Sequence, residues 1–285
     1  MTDAANGQET TGTPTAWDRV KLARETDRPT TQDYLANLFT DFTEFHGDRL
    51  FGDDRALIGG VASFRGRTVM VIGHQGGTNT RENISRNFGM PRPEGYRKAQ
   101  RLMRHAEKFG MPIITFIDTP GADPGISSEE RGQGTAIADS LMVMFDCRVP
   151  IICTVIAEGG SGGALAIGVG DRLLMLENAI YAVASPEACA TILWRDVAKA
   201  PEAAETMRIT AADCLRFGII DDVVPEPTPA HEAPNEVIAT TGEYIAQALE
   251  AVVGSHDLST DEGVRAMLTA RSEKFRKIGA WRDAS

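Results

Sequence analysis

Apolar side chains recur along this chain in two rhythms, one helical and one continuous. Between Pro93 and Phe109, the residues Tyr96, Ala99, Leu102, Met103, Ala106 and Phe109 fall on one stripe, with Pro93 near the start and Gly110 just past the end. That spacing predicts a helix bounded at both ends. A second stripe, Ile137, Leu141, Met144 and Phe145, predicts another, and from Asp33 the positions Tyr34, Leu38, Phe42 and Phe45 predict a helix that Gly47 ends. The continuous runs read as strands: ALIGGVASF and RTVMVIGHQ form a hairpin around Arg65-Gly66, and Ile113 to Ile117 and Pro150 to Ile156 are too apolar to be half exposed. A short helix is expected from Ala164.

RLLML, IYAVA and IIDDVV continue the series as short strands, with helices starting after Ser185 and Thr210. Prolines from Pro225 to Pro234 form a stiff connector, and amphipathic stretches from about Val237 to Val253 and Thr260 to Lys277 close the chain as helices suited to packing against a partner subunit. Strand, glycine turn and helix in alternation indicate parallel β units covered by helices, so the fold class is α/β. Residues 1–16 lack large apolar side chains after Met1 and read as a disordered tail ahead of one folded unit, 17–285.

Charge narrows the function. With 29 basic against 40 acidic residues the net charge is -11, which disfavours nucleic acid and anionic membranes as partners. The longest apolar stretch, Val149 to Ala157, is half of the roughly 18 residues a membrane span needs, and no leader pattern follows Met1, so a cytoplasmic protein is expected. Cys147, Cys153, Cys189 and Cys214 form no CxxC pair and are expected as reduced core residues; His46, His74 and His105 show no metal spacing. From Arg81 to Lys108, eight basic residues stand against three acidic ones. This stretch is either a solvated helix face or a site for phosphate or carboxylate, with Arg97 and Arg101 as candidates.

The chemistry concentrates in Glu158-Gly-Gly-Ser-Gly-Gly163, between a buried strand and a helix. Glycines let the backbone approach a ligand, and unpaired N–H groups at a helix start favour an anion. No Lys follows to make a P-loop, and Leu165 stands where a dinucleotide fingerprint needs its third glycine. Gly159 to Gly163 does satisfy GxSxG, the nucleophile elbow, which makes Ser161 a candidate nucleophile with only His231 and His256 downstream to serve it. Packing alone is the plain alternative. In DTPGADPG, Asp118 to Gly125, the loop is expected to form a wall rather than do proton chemistry through Asp123. At His74, beside a glycine turn, a structural hydrogen bond is expected.

VIGHQ (Val71 to Gln75), RNFGMPRPEGYRKAQRLM (Arg86 to Met103), MPIITFIDTPGA (Met111 to Ala122), EERGQ (Glu129 to Gln133), CTVIAEGGSGGALAIGVGD (Cys153 to Asp171), ASPEACATILW (Ala184 to Trp194) and IIDDVVPEP (Ile219 to Pro227) together resemble the α subunit of the bacterial and plastid acetyl-CoA carboxylase carboxyltransferase family. The resemblance runs from about Trp17 to the C-terminus. It implies a ClpP/crotonase-like fold of repeated ββα units, with a core at about 55–226 and C-terminal helices at about 235–280. It further implies one half of a two-chain active site, completed by a homologous β subunit in an α2β2 assembly. In that family carboxybiotin, carried on biotin carboxyl carrier protein and supplied by biotin carboxylase, gives its carboxylate to acetyl-CoA to form malonyl-CoA, the first committed step of fatty acid synthesis. Loss of CO2 leaves a ureido oxygen that can deprotonate the acetyl methyl group.

Carried over by residue, the family's α-side oxyanion hole falls on the main-chain amides of Gly162 and Gly163. Gly121, Arg97, Arg101 and Arg131 are the implied substrate-binding residues, and no metal is expected in this chain. Asp123 stands where the family usually has Tyr, and Gly76 to Asn83 lacks much of the family's basic character. Three other readings stay open: a paralogue acting on another acyl-CoA, a serine hydrolase using Ser161, and a noncatalytic scaffold that only dimerises with a related enzyme subunit.

Overall fold

The computed structural model describes residues 14–279. The chain opens with α1 (Ala16–Ala23) and α2 (Thr31–Leu38), then β1 (Thr40–Glu44), β2 (Leu57–Phe64), β3 (Arg67–His74), α3 (Thr80–Ser85) and α4 (Pro93–Phe109). The middle holds β4 (Ile113–Thr119), α5 (Ile126–Glu130), α6 (Gln133–Asp146), β5 (Ile151–Gly160), α7 (Ser161–Leu165), β6 (Arg172–Leu176) and β7 (Ile180–Ala182). There follow α8 (Pro186–Trp194), α9 (Ala200–Met207), α10 (Ala211–Arg216), β8 (Asp222–Val224), α11 (Pro234–Ser255) and α12 (Asp261–Arg276). No helix among these residues is long and apolar enough to cross a membrane.

One sheet runs β1-β2-β3-β4-β5-β6-β8, with β7 paired to the far end of β5. The β2–β3 hairpin is antiparallel, as the two flanking runs predict, and the strands that follow pair in parallel. β5 does two jobs along its length. Its first half is the centre of the sheet, pairing Ile151 with Ile113 and Ile152 with Arg172, while its last three residues, Glu158 to Gly160, pair with β7. Fully buried Ile, Val, Leu and Met side chains of β3 to β6 form the core, which α4 covers with Tyr96, Ala99, Leu102 and Met103. The stripe read from sequence is that buried face, and Gly110 caps the helix in the left-handed conformation at φ 66°.

Three expectations need correction. The helix expected from Asp33 to Phe45 ends at Leu38, because Phe39 turns extended and packs tilted against Phe64 and edge-on against Phe116, and residues 40–44 join β2 as an edge strand. Asp41 sits at φ 55° beside a register irregularity, a conformation no helix interior accommodates. The helix expected from Ala164 begins three residues earlier, at Ser161, because β5 carries the chain through Gly160. Of the tail expected over 1–16, residues 1–13 lie outside the described residues, and the last residues are ordered: Thr15 caps α1 through a reciprocal bond with Asp18. Of the four cysteines, Cys189 is only half-buried, the others being core.

The ends of the chain are fastened to the sheet by buried arginines. Arg28 donates to Glu226 twice at 3.0 Å and to the Ile156 carbonyl at 2.8 Å, so the proline connector and β5 share one anchor. Arg271 of α12 is 1% exposed; it grips both carboxylate oxygens of Asp171 and the carbonyls of Met144, Cys147 and Val149. The inner faces of α11 and α12 are therefore packed on this chain's own core.

Candidate active site

The turn after β5 is built by close backbone approach. A Cβ on Gly160 would stand 2.2 Å from the Pro120 carbonyl oxygen, and one on Gly163 would stand 2.7 Å from Gly121 C and Ala122 N. Only glycine fits at these two positions. The 120–122 segment of the loop after β4 is thus pressed against the turn as a wall, in the role the sequence suggests. Gly121 lies in that wall, with its N–H and C=O both engaged by the buried Thr119 hydroxyl at 3.1 and 2.7 Å.

Beyond Gly160, Ser161 is exposed and held at φ 53°, a strained conformation for a residue with a side chain. Gly162 and Gly163 follow in the first turn of α7, where N–H groups have no intrahelical acceptor. Gly162 is half-exposed, and a Cβ there would meet only the Ile137 side chain, at 3.5 Å. Two adjacent main-chain donors at an accessible turn can stabilise an oxygen that gains negative charge.

The nucleophile reading of Ser161 fails on its partners. Its Oγ has no hydrogen-bond partner among the described residues. His46 pairs with Asp53, His105 packs between Phe45 and Phe109, His231 lies beside Glu232, His256 ends α11 and His74 is sealed in the core. A serine without a base remains a weak nucleophile.

The basic stretch divides: Arg81, Arg92, Arg104 and Lys108 are exposed, whereas Arg97, Lys98 and Arg101 are turned inward. Arg97 donates to Asp48 at 2.8 Å and to the Arg131 carbonyl at 3.2 Å, and Arg101 donates to the carbonyls of His46 and Gly47. Lys98, fully buried, holds Asp53 at 2.6 Å and the Asp54 carbonyl. Arg131 bridges to Glu94 at 3.2 Å and lies over the Phe51 ring. These cations clasp the 46–54 loop, which explains why a helix in an acidic protein carries them. Burial would raise the Asp48 carboxyl, but the amides of Leu50, Phe51 and Gly52 together with Arg97 hold it down at about 2. Asp123 is likewise occupied, by Ser128 at 2.5 Å and by Arg92.

Before the turn, Asp118 is the penultimate residue of β4 and Glu158 precedes the glycines. Asp118 Oδ1 accepts the Glu158 N–H at 3.3 Å, and burial raises the Asp118 carboxyl to about 6. Arg24, at the end of α1, spans Glu158 at 2.8 Å and Glu187 of α8 at 2.6 Å. The Asp118 N–H donates to His74 Nδ1 at 3.4 Å. Burial pushes His74 down to about 3, so its ring is neutral. None of Arg24, Asp118 or Glu158 stands out in sequence, although Glu158 and Asp118 each border a glycine motif. Among the described residues no group of His, Cys, Asp and Glu side chains has a metal-holding arrangement.

The backbone matches that of solved carboxyl-group enzymes. It superposes on transcarboxylase 12S with a TM-score of 0.65 at 22% identity, over 81% of this chain but only 44% of that one. It superposes on one chain of a Pseudomonas malonate decarboxylase heterodimer with a TM-score of 0.60 at 18% identity, over 79% of this chain and 91% of that one. The fold is crotonase-like, of the kind carboxyltransferases share. Sequence then narrows the class: the family model for acetyl co-enzyme A carboxylase carboxyltransferase-like proteins matches residues 3–279. Acetyl-coenzyme A carboxylase carboxyl transferase subunit alpha of Halalkalibacterium halodurans is 54% identical over 264 residues, 92% of this chain and 79% of the relative. Its counterpart from Bacillus thuringiensis is 55% identical over 269 residues, 94% and 81% of the two chains. This chain belongs to the acetyl-CoA carboxylase carboxyltransferase α-subunit family.

Proposed function

We propose that this chain is the α half of a carboxyltransferase that moves a carboxyl group from carboxybiotin to acetyl-CoA, forming malonyl-CoA. The observation that carries the reading is the turn itself: two adjacent main-chain donors, at half-exposed Gly162 and buried Gly163, behind the exposed and strained Ser161, with no activated side chain beside them. Such a turn suits a reaction whose charge develops on oxygen and whose proton transfer is supplied by the substrates. Carboxybiotin, a substrate carried by a partner protein, supplies the carboxyl group. The donor chemistry fits it, because cleavage of the bond between a ureido nitrogen and its carboxyl group leaves negative charge delocalised onto the ureido oxygen, an acceptor for N–H.

This chain's own residues then have distinct tasks. Gly162 and Gly163 donate to the developing oxyanion. Gly121 and its neighbours wall the turn. Arg97, Arg101 and Arg131 serve substrate binding indirectly, by fixing the 46–54 loop through contacts already made within the protein. The partners in this reading are a β subunit carrying the matching half of the site in an α2β2 complex, biotin carboxyl carrier protein and biotin carboxylase. The α-subunit names of the relatives support the first of these.

The test is reconstitution. Mixed with a β subunit, free biotin and malonyl-CoA, the chain should transfer the carboxyl group in reverse, and alone it should do nothing. Robust turnover by the purified chain alone would overturn the assignment, and equal turnover with a longer malonyl homologue would move the substrate to another acyl-CoA.

A further inference from the structure

Three arginines near the start of the described chain fasten it to the sheet, and they do so differently. Arg19 reaches the Glu177 carbonyl at 2.7 Å and Arg28 the Ile156 carbonyl at 2.8 Å, so each grips main chain. Arg24, between them, donates only to carboxylates: Nη2 to Glu158 Oε1 at 2.8 Å and Nη1 to Glu187 Oε1 at 2.6 Å. One cation thus serves two anions, and the Glu158 side chain is left 15% exposed.

Glu158 does not need Arg24 to hold its backbone. Its N–H goes to Asp118 Oδ1 at 3.3 Å, and β7 pairs alongside, with Ile180 opposite Glu158 and Tyr181 opposite Gly159. What Arg24 governs is the carboxylate. Glu158 precedes Gly162 by four positions, so at most about 14 Å of extended chain separates it from the first of the turn's donors. A carboxylate is a strong acceptor for backbone N–H, and a loose one here would compete for those donors and repel any oxyanion resting on them. In this structure the Glu158 carboxylate is taken by Arg24, and neither Gly162 nor Gly163 donates to it.

We propose that Arg24 is a positioning residue for the turn: by pairing the Glu158 carboxylate and tying it to Glu187 at the start of α8, it keeps that charge off the Gly162 and Gly163 amides and leaves them to the substrate. The inference rests on the oxyanion reading of the turn. Arg24 touches no reacting atom; it acts through Glu158. Because charge on the substrate oxygen is greatest in the transition state, the effect falls on kcat rather than on acyl-CoA binding.

Kinetics of the full chain assembled with the β subunit, run in reverse from malonyl-CoA and free biotin, test it. Arg24→Ala should lower kcat on the order of tenfold while KM for malonyl-CoA holds, the effect of one unpaired charge at roughly 12 Å and an effective dielectric constant of about 20. Arg24→Ala combined with Glu158→Gln removes the stranded carboxylate and returns the group to its wild-type net charge, so it should recover most of that loss. A tie that merely joined β5 to α8 would behave oppositely, since the double variant has lost both halves of it. Should Arg24→Ala fail to assemble, Arg24→Gln, which keeps an amide donor but no charge, enters the same comparison. Wild-type kcat in the assembled single variant, or no recovery on adding Glu158→Gln, overturns the proposal and leaves the oxyanion reading standing. A wild-type complex that transfers no carboxyl group removes the reading of the site, and the proposal with it.

Discussion

Gly163 and Gly121 touch through their backbones, so that even one added carbon on Gly163 would come within 2.7 Å of Gly121 C. A bulky residue at 163 therefore reports on packing before it reports on donors. Gly163→Ala should destabilise the fold by about 1–3 kcal/mol through overpacking. Gly162→Ala, whose Cβ would make only ordinary contact with the Ile137 side chain at 3.5 Å, should be neutral or stabilising by about 0.5–1 kcal/mol as a helical Gly to Ala change. Denaturant titration separates the two, and equal losses would contradict the geometry.

A cleaner probe of the donors replaces residue 162 by glycolate, which turns its N–H into an ester oxygen without adding a side chain. Carboxyl transfer should fall on the order of a hundredfold, as for loss of one oxyanion donor. Normal transfer by the folded ester variant would remove Gly162 from the mechanism.

Ser161→Ala should leave turnover within a few-fold of wild type, because its hydroxyl has no base to activate it, whereas loss of a true triad member costs roughly a millionfold. Ser161→Gly should also retain activity and sit within about 1 kcal/mol of wild-type stability, since glycine accepts φ 53° without strain. Steady-state kinetics on both variants decides the matter.

The His74 ring has a signature in acid. Its native pKa of about 3 lies below the ordinary 6.5, so below pH 6.5 the unfolded chain binds a proton that the folded one refuses. Stability is therefore lost as pH falls from 6.5 toward 3, at about 1.4 kcal/mol per unit. His74→Gln should lack this component. Asp54 and Asp118, raised to about 6 by burial, act in the opposite sense but are present in both proteins, so the difference between the two stability curves isolates the imidazole. Parallel curves would contradict a buried neutral ring.

Arg271→Met should cost about 3–5 kcal/mol, because it strands the Asp171 carboxylate and three buried carbonyls at once. Arg97→Ala should cost less, since Asp48 keeps its three amide donors, and its effect should appear as faster amide exchange in the 46–54 loop. An unprotected loop in the wild type would argue against the clasp.

What could be read from sequence follows the range of the interaction responsible. α4 was legible end to end because its stripe, its leading Pro93 and its Gly110 cap are local. Phe42 and Phe45 misled because their spacing suits a helix, while the strand they occupy exists only through its pairing with β2. The glycine turn was visible because an anion site of this kind is written in consecutive residues. The clasp was not, since Arg97 meets Asp48 across 49 positions, and a run of positive charge read in isolation suggests a ligand. The His74, Asp118 and Glu158 chain was hidden for the same reason, each residue ending a different strand or starting a turn.

The dependence of the turn on its wall also bears on when the site comes into being. Pro120 meets Gly160 only after β4 and β5 have zipped in parallel, which demands closing the intervening stretch that contains α6. Contacts of this separation are paid for late, because chain entropy is surrendered before they reward it. The donor geometry should therefore emerge with the cooperative folding transition itself. A nascent chain has no partial site to offer a substrate while β5 is still in the ribosome tunnel, and a chain that opens locally at this pairing loses its chemistry before it loses its helices.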